Sequence, residues 1–198
     1  MNTGWKTWDK YLSQYVGKKV KILEIGVYEG VASCWFLKHI MTNKKSKLYC
    51  IDTFEGSAEY TDVNFSNVEK TFYKNIKKTG REDQVIVLKG YSFDKLIKLN
   101  RKKTMFDIIF IDASHEARDV ISDAVLSWKL LKENGTLIFD DYKWTNLKQE
   151  YFRPKIAIDS FIQIFKPELE VLKIAYQVLI RKKYKKDFEI PEISEEYK

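Results

Sequence analysis

The chain has 198 residues, with 35 Lys and Arg against 28 Asp and Glu, 44% apolar residues, 8 Gly, 3 Pro and 2 Cys. A chain of this length buries roughly 70% of its unfolded surface in one core and is short for two, so a single domain over residues 1–198 is expected. The composition excludes collagen, disulfide scaffolds and broadly disordered chains.

Residues 1–20 carry two Trp, an Asp and four Lys, and no apolar run of the kind a signal peptide needs. Trp5, Trp8, Leu12, Tyr15 and Val16 share one face of a helix over the first 16 residues, expected to pack across a sheet or its mouth. Beyond it, apolar runs of strand length alternate with helical patterns, the sign of a parallel sheet covered on both faces. Val20 to Ile25, Leu48 to Ile51, Val85 to Leu88, Asp107 to Ile111 and Thr136 to Phe139 read as five strands. Val31 to Met41 reads as a helix that is apolar on most sides. Ser66 and Glu69 have the capping-box spacing ahead of a helix carrying Val68, Phe72 and Ile76 and stopped by Gly80. The clearest helix is predicted from Glu116 to Lys132, with Ala117, Val120, Ile121, Ala124, Val125, Trp128 and Leu131 at helical spacing and Gly135 as its C-terminal cap. A polar loop at 146–154 and a helix near Ile156 to Phe165 follow, then Leu169 to Ile174 and Tyr176 to Ile180 as an antiparallel hairpin. The charged residues 187–198 read as a loose tail.

No stretch approaches the roughly 18 consecutive apolar residues of a membrane span, so a soluble, cytoplasmic protein without a membrane partner is expected. Cys34 and Cys50 have no second Cys or His at metal-ligand spacing and read as reduced core residues. The formal net charge of +7 comes largely from Arg181 to Lys186 and Arg101 to Lys103. It reads first as a solvated basic face; an acidic ligand such as a nucleotide sugar or anionic glycan, and then nucleic acid, are the further readings. His39 reads as structural or exposed.

In an open alternating sheet, ligands bind beyond the carboxyl ends of the strands, near the point where strand order reverses. The first strand ends in Glu24-Ile25-Gly26-Val27-Tyr28-Glu29-Gly30, and a helix follows directly. Glycines there let backbone approach a ligand at a helix N-terminus. A dinucleotide fingerprint needs glycine where Glu24 and Glu29 stand, and two carboxylates repel a pyrophosphate. A cationic ligand suits the loop better; the plain alternative is a tight turn. Asp52 ends the second strand where the fold commonly places an acid on ribose hydroxyls, although a strand-end Asp also serves as a cap. Ser92, after the third strand, either borders an adenine or caps the next helix.

Strands four and five run into Asp112-Ala113-Ser114-His115 and Asp140-Asp141-Tyr142. If these strands are neighbours, three carboxylates converge at one rim and cannot all stay ionised without a counter-charge. An all-oxygen cluster suits a hard divalent cation, Mg²⁺ first and Mn²⁺ or Ca²⁺ next. In the alternative, Asp141 caps the loop and Asp112 touches only a cofactor. His115 starts the long helix, whose N-terminus disfavours imidazolium and keeps the ring able to accept a proton. It is a candidate general base, or else a residue hydrogen-bonded to the loop.

These residues resemble the class I S-adenosylmethionine-dependent methyltransferases, whose first motif is acidic-x-Gly-x-x-x-Gly. Glu24, Gly26 and Gly30 match it, and Asp52 matches the ribose-binding acid. The resemblance covers about Val20 to Ile180 and implies an α/β, Rossmann-like doubly wound sheet of seven strands, mostly parallel with an antiparallel last strand. Asp-Thr-Phe-Glu-Gly at 52–56, Ile-Asp-x-Ser-His at 111–115 and Asp-Asp-Tyr at 140–142 resemble the cation-dependent O-methyltransferases, in the branch that includes the macrocin-type sugar enzymes. This implies S-adenosylmethionine held by Glu24, Gly26, Tyr28, Gly30, Asp52, Thr53, Ser92 and Asp112, with a metal on Asp112, Asp140 and Asp141. His115 stands as base where catechol-type relatives have a lysine. Ala32 departs from the Ser or Thr common in relatives, and Ser33 points elsewhere on a helix.

The expected reaction is methyl transfer to a hydroxyl of a small-molecule or glycan acceptor. Thr53 to Phe65 reads as a lid; Trp5, Trp8, Tyr142 and Trp144 either stack on a sugar or belong to the core. One rival is an RNA methyltransferase, disfavoured because Ile-Asp-Ala-Ser lacks the prolines of an Asn/Asp-Pro-Pro-Tyr motif. The other is a non-catalytic S-adenosylmethionine-binding module. The sequence leaves the oligomeric state open, a homo-oligomer included.

Overall fold

Strands that are apolar at nearly every position have no polar face to turn to water, and so must be covered on both sides. The computed structural model, which describes residues 4–56 and 64–187, meets this demand with three layers. β1 (Lys21–Ile25), β2 (Lys47–Asp52), β3 (Val85–Lys89), β4 (Phe106–Ile111), β5 (Leu131–Phe139), β6 (Leu169–Ile174) and β7 (Val178–Lys182) form one sheet. Its order is β3-β2-β1-β4-β5-β7-β6. The pairs from β3 through β5 are parallel, and β7 runs antiparallel to both β5 and β6. This is the seven-stranded Rossmann-like sheet expected of a methyltransferase.

Side chains alternate across a strand, so Ile22, Cys50, Ile108, Phe110 and Ile138 pack towards one face, against α1 (Gly4–Leu12), α2 (Val31–Trp35) and α3 (Val68–Lys78). A π-helical segment, Phe36–Ile40, prolongs α2. Leu23, Ile25, Ile109, Ile111, Leu137 and Phe139 pack on the other face, against α4 (Ser92–Arg101), α5 (Ala117–Trp128) and α6 (Pro154–Ile164). Trp8 joins α1 to the first layer, with its ring 4.7 Å from Phe36, 5.0 Å from Trp35 and 5.0 Å from Phe110. The same alternation sends Glu24 into this aromatic layer.

Three local expectations need correction. The helix predicted to reach Lys132 stops at Trp128. Leu131, which fits the helical spacing, instead opens β5 opposite Phe106, and a register irregularity ahead of the Ile108–Thr136 pair takes up the residues between. Gly135 therefore lies inside the strand and caps nothing. Ser66 does not cap α3: Asn67 is the N-cap residue, without a side-chain bond, and Glu69 pairs with Lys89 at 2.6 Å. The remaining strands and helices lie within a few residues of their predicted places.

Both cysteines are free, Cys50 buried and Cys34 half-buried. Among the described residues no helix is long and apolar enough to cross a membrane. The tail beyond residue 187 lies outside the described residues.

Candidate active site

Strand order reverses between β1 and β4, and an open cleft of about 1620 Å³ lies over the carboxyl ends there. Backbone bonds tie the strand ends into a rim: Asp112 to Ile25 and Gly26 to Ile51, each 2.8 Å, with Gly90 to Asp52 at 2.8 Å and Asp140 to Ile111 at 3.0 Å. Gly26 has φ +82°, and a Cβ placed there would lie 2.0 Å from the Asp112 carbonyl oxygen. Only glycine lets the loop cross β4 so closely. Glu24, Gly26, Tyr28, Asp52, Thr53, Ser92, Asp112, His115 and Asp140 all border the cleft, whereas Gly30 and Asp141 do not line it.

Asp52 holds the glycine loop together. Its Oδ2 accepts the backbone N–H of Val27 at 2.7 Å and of Tyr28 at 2.9 Å, and its Oδ1 accepts that of Phe54 at 2.7 Å. A carboxylate has about four lone-pair sites, so this structural role coexists with acceptance from ligand hydroxyls. Glu24 is buried, and Ser33 donates to its Oε2 at 2.6 Å. Ser33 thus faces the core, and its hydroxyl goes to a buried acid. Burial pushes the Glu24 carboxyl up to about 8, with Ser33 opposing and Asp52 adding to the rise.

The carboxylates after β4 and β5 reach one rim but take separate partners. Asp141, at φ +58°, offers Oδ2 to His115 Nε2 at 2.9 Å and Oδ1 to the Tyr176 hydroxyl at 2.9 Å. Asp140 accepts its neighbour's backbone N–H at 2.8 Å and the Gln177 side-chain amide, also at 2.8 Å. Asp112 is exposed to the cleft, yet enough protein crowds around it that desolvation is the first cause holding its carboxyl well above the usual range. The nearby charges of Asp140 and Asp141 come next. Burial and then Asp141 also raise Asp140, opposed by Gln177.

Among the described residues no three His, Cys, Asp or Glu side chains form a group that could hold a metal ion. The trio Asp112, Asp140 and Asp141 therefore reaches one rim without assembling: Asp141 turns its oxygens to His115 and Tyr176, and Asp140 turns its own to a backbone N–H and Gln177.

His115 is held on two sides, by Asp141 and by the ring of Trp144, stacked 4.5 Å away at 19°. Of the four aromatics considered for sugar stacking, Trp5 and Trp8 border the cleft. Trp8 is fully buried, Trp144 lies on His115, and Tyr142 donates to Asp159 at 2.9 Å. The lid expectation falls largely on residues 57–63, outside the described residues. His39 is exposed and stacked on Trp35, as a structural histidine.

Sequence reasoning missed the hairpin turn between β6 and β7, which brings Tyr176 and Gln177 to the rim, and Asp123 of α5 in the cleft wall. Nothing in the local pattern singles them out, since a polar turn between two apolar strands is what any hairpin shows. Seven acids line the cleft, Glu24, Asp52, Asp112, Glu116, Asp119, Asp123 and Asp140, with Lys173 the one Lys or Arg among the described lining residues. The basic run from Arg181 continues β7 away from the rim, because Arg181 pairs with Thr136 well before β5 reaches Asp140.

The family described as Methyltransferase domain matches residues 23–142. The chain belongs to this methyltransferase family. It is 33% identical over 129 residues to Uncharacterized protein R132 of Acanthamoeba polyphaga mimivirus, covering 61% of this chain and 51% of that protein. It is 29% identical over 121 residues to the O-methyltransferase hkm8 of Aspergillus hancockii, covering 61% of this chain and 42% of that protein. The chain thus spans about half the length of these curated relatives. Its fold is similar to that of MycE, a methyltransferase from the mycinamycin biosynthetic pathway in complex with Mg and SAH (TM-score 0.64, 17% identity, 94% of this chain and 51% of that one). It is also similar to that of CalS11, a TDP-rhamnose 3'-O-methyltransferase in calicheamicin biosynthesis (TM-score 0.63, 16% identity, 90% and 79%).

Proposed function

We propose that this chain is an S-adenosylmethionine-dependent O-methyltransferase acting on a hydroxyl of a small molecule, a sugar or glycan first. The observation that carries the proposal is His115, fixed by Asp141 and Trp144 at the mouth of an acid-lined cleft beside the glycine loop. An acid-lined cleft favours a sulfonium cofactor and disfavours a pyrophosphate. Glu24, Gly26, Tyr28, Gly30, Asp52, Thr53, Ser92 and Asp112 are the residues proposed to surround that cofactor. The sugar reading is supported by the activity named for CalS11.

In the proposed reaction the acceptor hydroxyl gives its proton to the His115 imidazole, and its oxygen attacks the methyl carbon in line with the departing sulfur. The C–S bond electrons stay on sulfur, which leaves as a neutral thioether. Asp141, bonded to Nε2, fixes the ring and stabilises the imidazolium that forms. Placing the hydroxyl against the methyl group supplies much of the remaining rate, since alignment is worth about 7–11 kcal/mol.

A divalent cation, Mg²⁺ with Mn²⁺ or Ca²⁺ behind it, stays in the proposal on the chemistry of the donors. The charges of Asp140 and Asp141 raise the proton affinity of Asp112, and that of Asp141 raises Asp140; a cation at this rim would reverse that. When bound it would lower the pKa of an acceptor hydroxyl; Asp112, Asp140 and Asp141 would hold it, and Asp141 would have to turn from His115 or Tyr176.

The experiment is a screen of hydroxylated sugars, glycans and small phenols for S-adenosylhomocysteine release, with and without Mg²⁺. Release with a sugar supports the reading. Release only with RNA would replace it by the nucleic-acid reading, which the placement of the basic run away from the cleft disfavours.

A further inference from the structure

Glu24 Oε1 is buried at the edge of the cleft and has no hydrogen-bond partner among the described residues. An ionised carboxylate buried in that position, with no counter-charge facing it, is costly. The groups facing Glu24 are Ser33 and Cys34 from α2, Cys50 and Asp52 from β2, and Phe110 with Asp112 beyond it from β4. None is a cation. Lys38 and Lys78 act on Cys34 and not on Glu24. The glycine-loop end of the cleft therefore holds a buried carboxyl that no cation faces.

We infer that Glu24 carries a proton in the ligand-free protein and gives it up when a positively charged ligand occupies the glycine-loop end of the cleft, so that this residue selects cations. The inference rests on the cofactor reading proposed above. The proton leaves the Glu24 carboxyl for solvent, the ligand's positive charge replaces it, and no bond of the ligand changes. The carboxyl's rise to about 8, caused first by burial, gives the pH range in which this exchange operates. Below that range, affinity for a cationic ligand rises about tenfold per pH unit; above it, affinity is level. Ser33 sets where the bend falls, because its hydroxyl bond favours the ionised form.

The test is calorimetric titration of S-adenosylmethionine into the full chain near pH 7, in phosphate and in Tris, whose different ionisation heats count the protons released. The affinity is then followed between about pH 6 and about pH 9. Asp112 shares the cleft and also favours its proton, so the comparison with variants decides. Glu24→Gln should lower the count by most of one proton and take the Glu24 share out of the pH dependence. Ser33→Ala should move the bend to higher pH, and tests the same point if Glu24→Gln fails to fold. An unchanged proton count in Glu24→Gln, or an unmoved bend in Ser33→Ala, overturns the inference and leaves the cofactor reading standing. If S-adenosylmethionine does not bind the wild-type chain, the cofactor reading falls and takes the inference with it.

Discussion

Gln177 donates its side-chain amide to Asp140 Oδ2 at 2.8 Å, from the turn of the hairpin that ends the sheet. Its carbonyl accepts the Trp8 indole N–H, also at 2.8 Å. An indole only donates and a carboxylate only accepts, so an amide joins them in one orientation, carbonyl towards Trp8 and amino group towards Asp140. Through these two bonds the N-terminal helix, the hairpin and the rim of β5 hold one another.

Gln177→Leu leaves the Trp8 donor and an Asp140 oxygen without their partner, and should cost about 1–3 kcal/mol in urea unfolding. Trp8→Phe keeps an aromatic ring in the layer and loses only the donor. A double-mutant cycle between the two should show a coupling of about 0.5–1.5 kcal/mol. Additive losses would mean that the relay carries no energy of its own.

Gly26→Ala should be the most damaging small substitution in the loop. The new methyl group would meet the Asp112 carbonyl at 2.0 Å on a backbone at φ +82°. Strain of that kind costs about 1–3 kcal/mol before the rim shifts to relieve the clash. Thermal unfolding and S-adenosylmethionine titration should both show the loss, and a variant of wild-type stability and affinity would contradict the close crossing of β4.

Much of the fold was legible because the strands are apolar along nearly their whole length and each ends in chemistry: Gly26 after β1, Asp52 on β2, Asp112 after β4, Asp140 after β5. The start of β5 was not, because Leu131 satisfies a helical period and a strand pairing equally, and only Phe106 opposite it decides. At the site, the order of motifs brought three carboxylates to one rim. Which partner each takes depends on residues far along the chain: Tyr176 and Gln177 arrive through a hairpin, and the left-handed backbone at Asp141 turns its side chain towards His115. Glu24 and Ser33 pair because β1 points one inward and α2 points the other, a tertiary fact without a local signature.

Asp123, buried on α5, is pushed up to about 7 by burial, with Ser92 opposing and Asp119 adding to the rise. A carboxyl whose folded value exceeds its unfolded value contributes stability that is complete below the unfolded value of about 4 and lost as pH rises through the folded one. Asp123→Asn should remove that loss. Urea unfolding across this window should find the variant gaining on the wild type by on the order of a few kcal/mol as pH rises from about 4 to about 7. A constant difference would show that Asp123 ionises normally in the fold.

His115→Ala should separate chemistry from cofactor binding. With an acceptor found in the screen, its turnover should fall about 10²–10⁴-fold, as for loss of a positioned base. S-adenosylmethionine affinity should stay within a few-fold of the wild type. Asp141→Asn should show a smaller fall of the same kind, because it leaves the ring in place without its charged partner. Wild-type turnover in His115→Ala would remove the base assignment.

The most direct measurement of the central claim is calorimetric titration of S-adenosylmethionine into the wild-type chain, with NAD as control, each with Mg²⁺ and with chelator. S-adenosylmethionine should bind and NAD should not, with any separate Mg²⁺ heat lost in the Asp140→Ala/Asp141→Ala variant. Binding of NAD in place of S-adenosylmethionine, or no binding of S-adenosylmethionine under either condition, would contradict that claim.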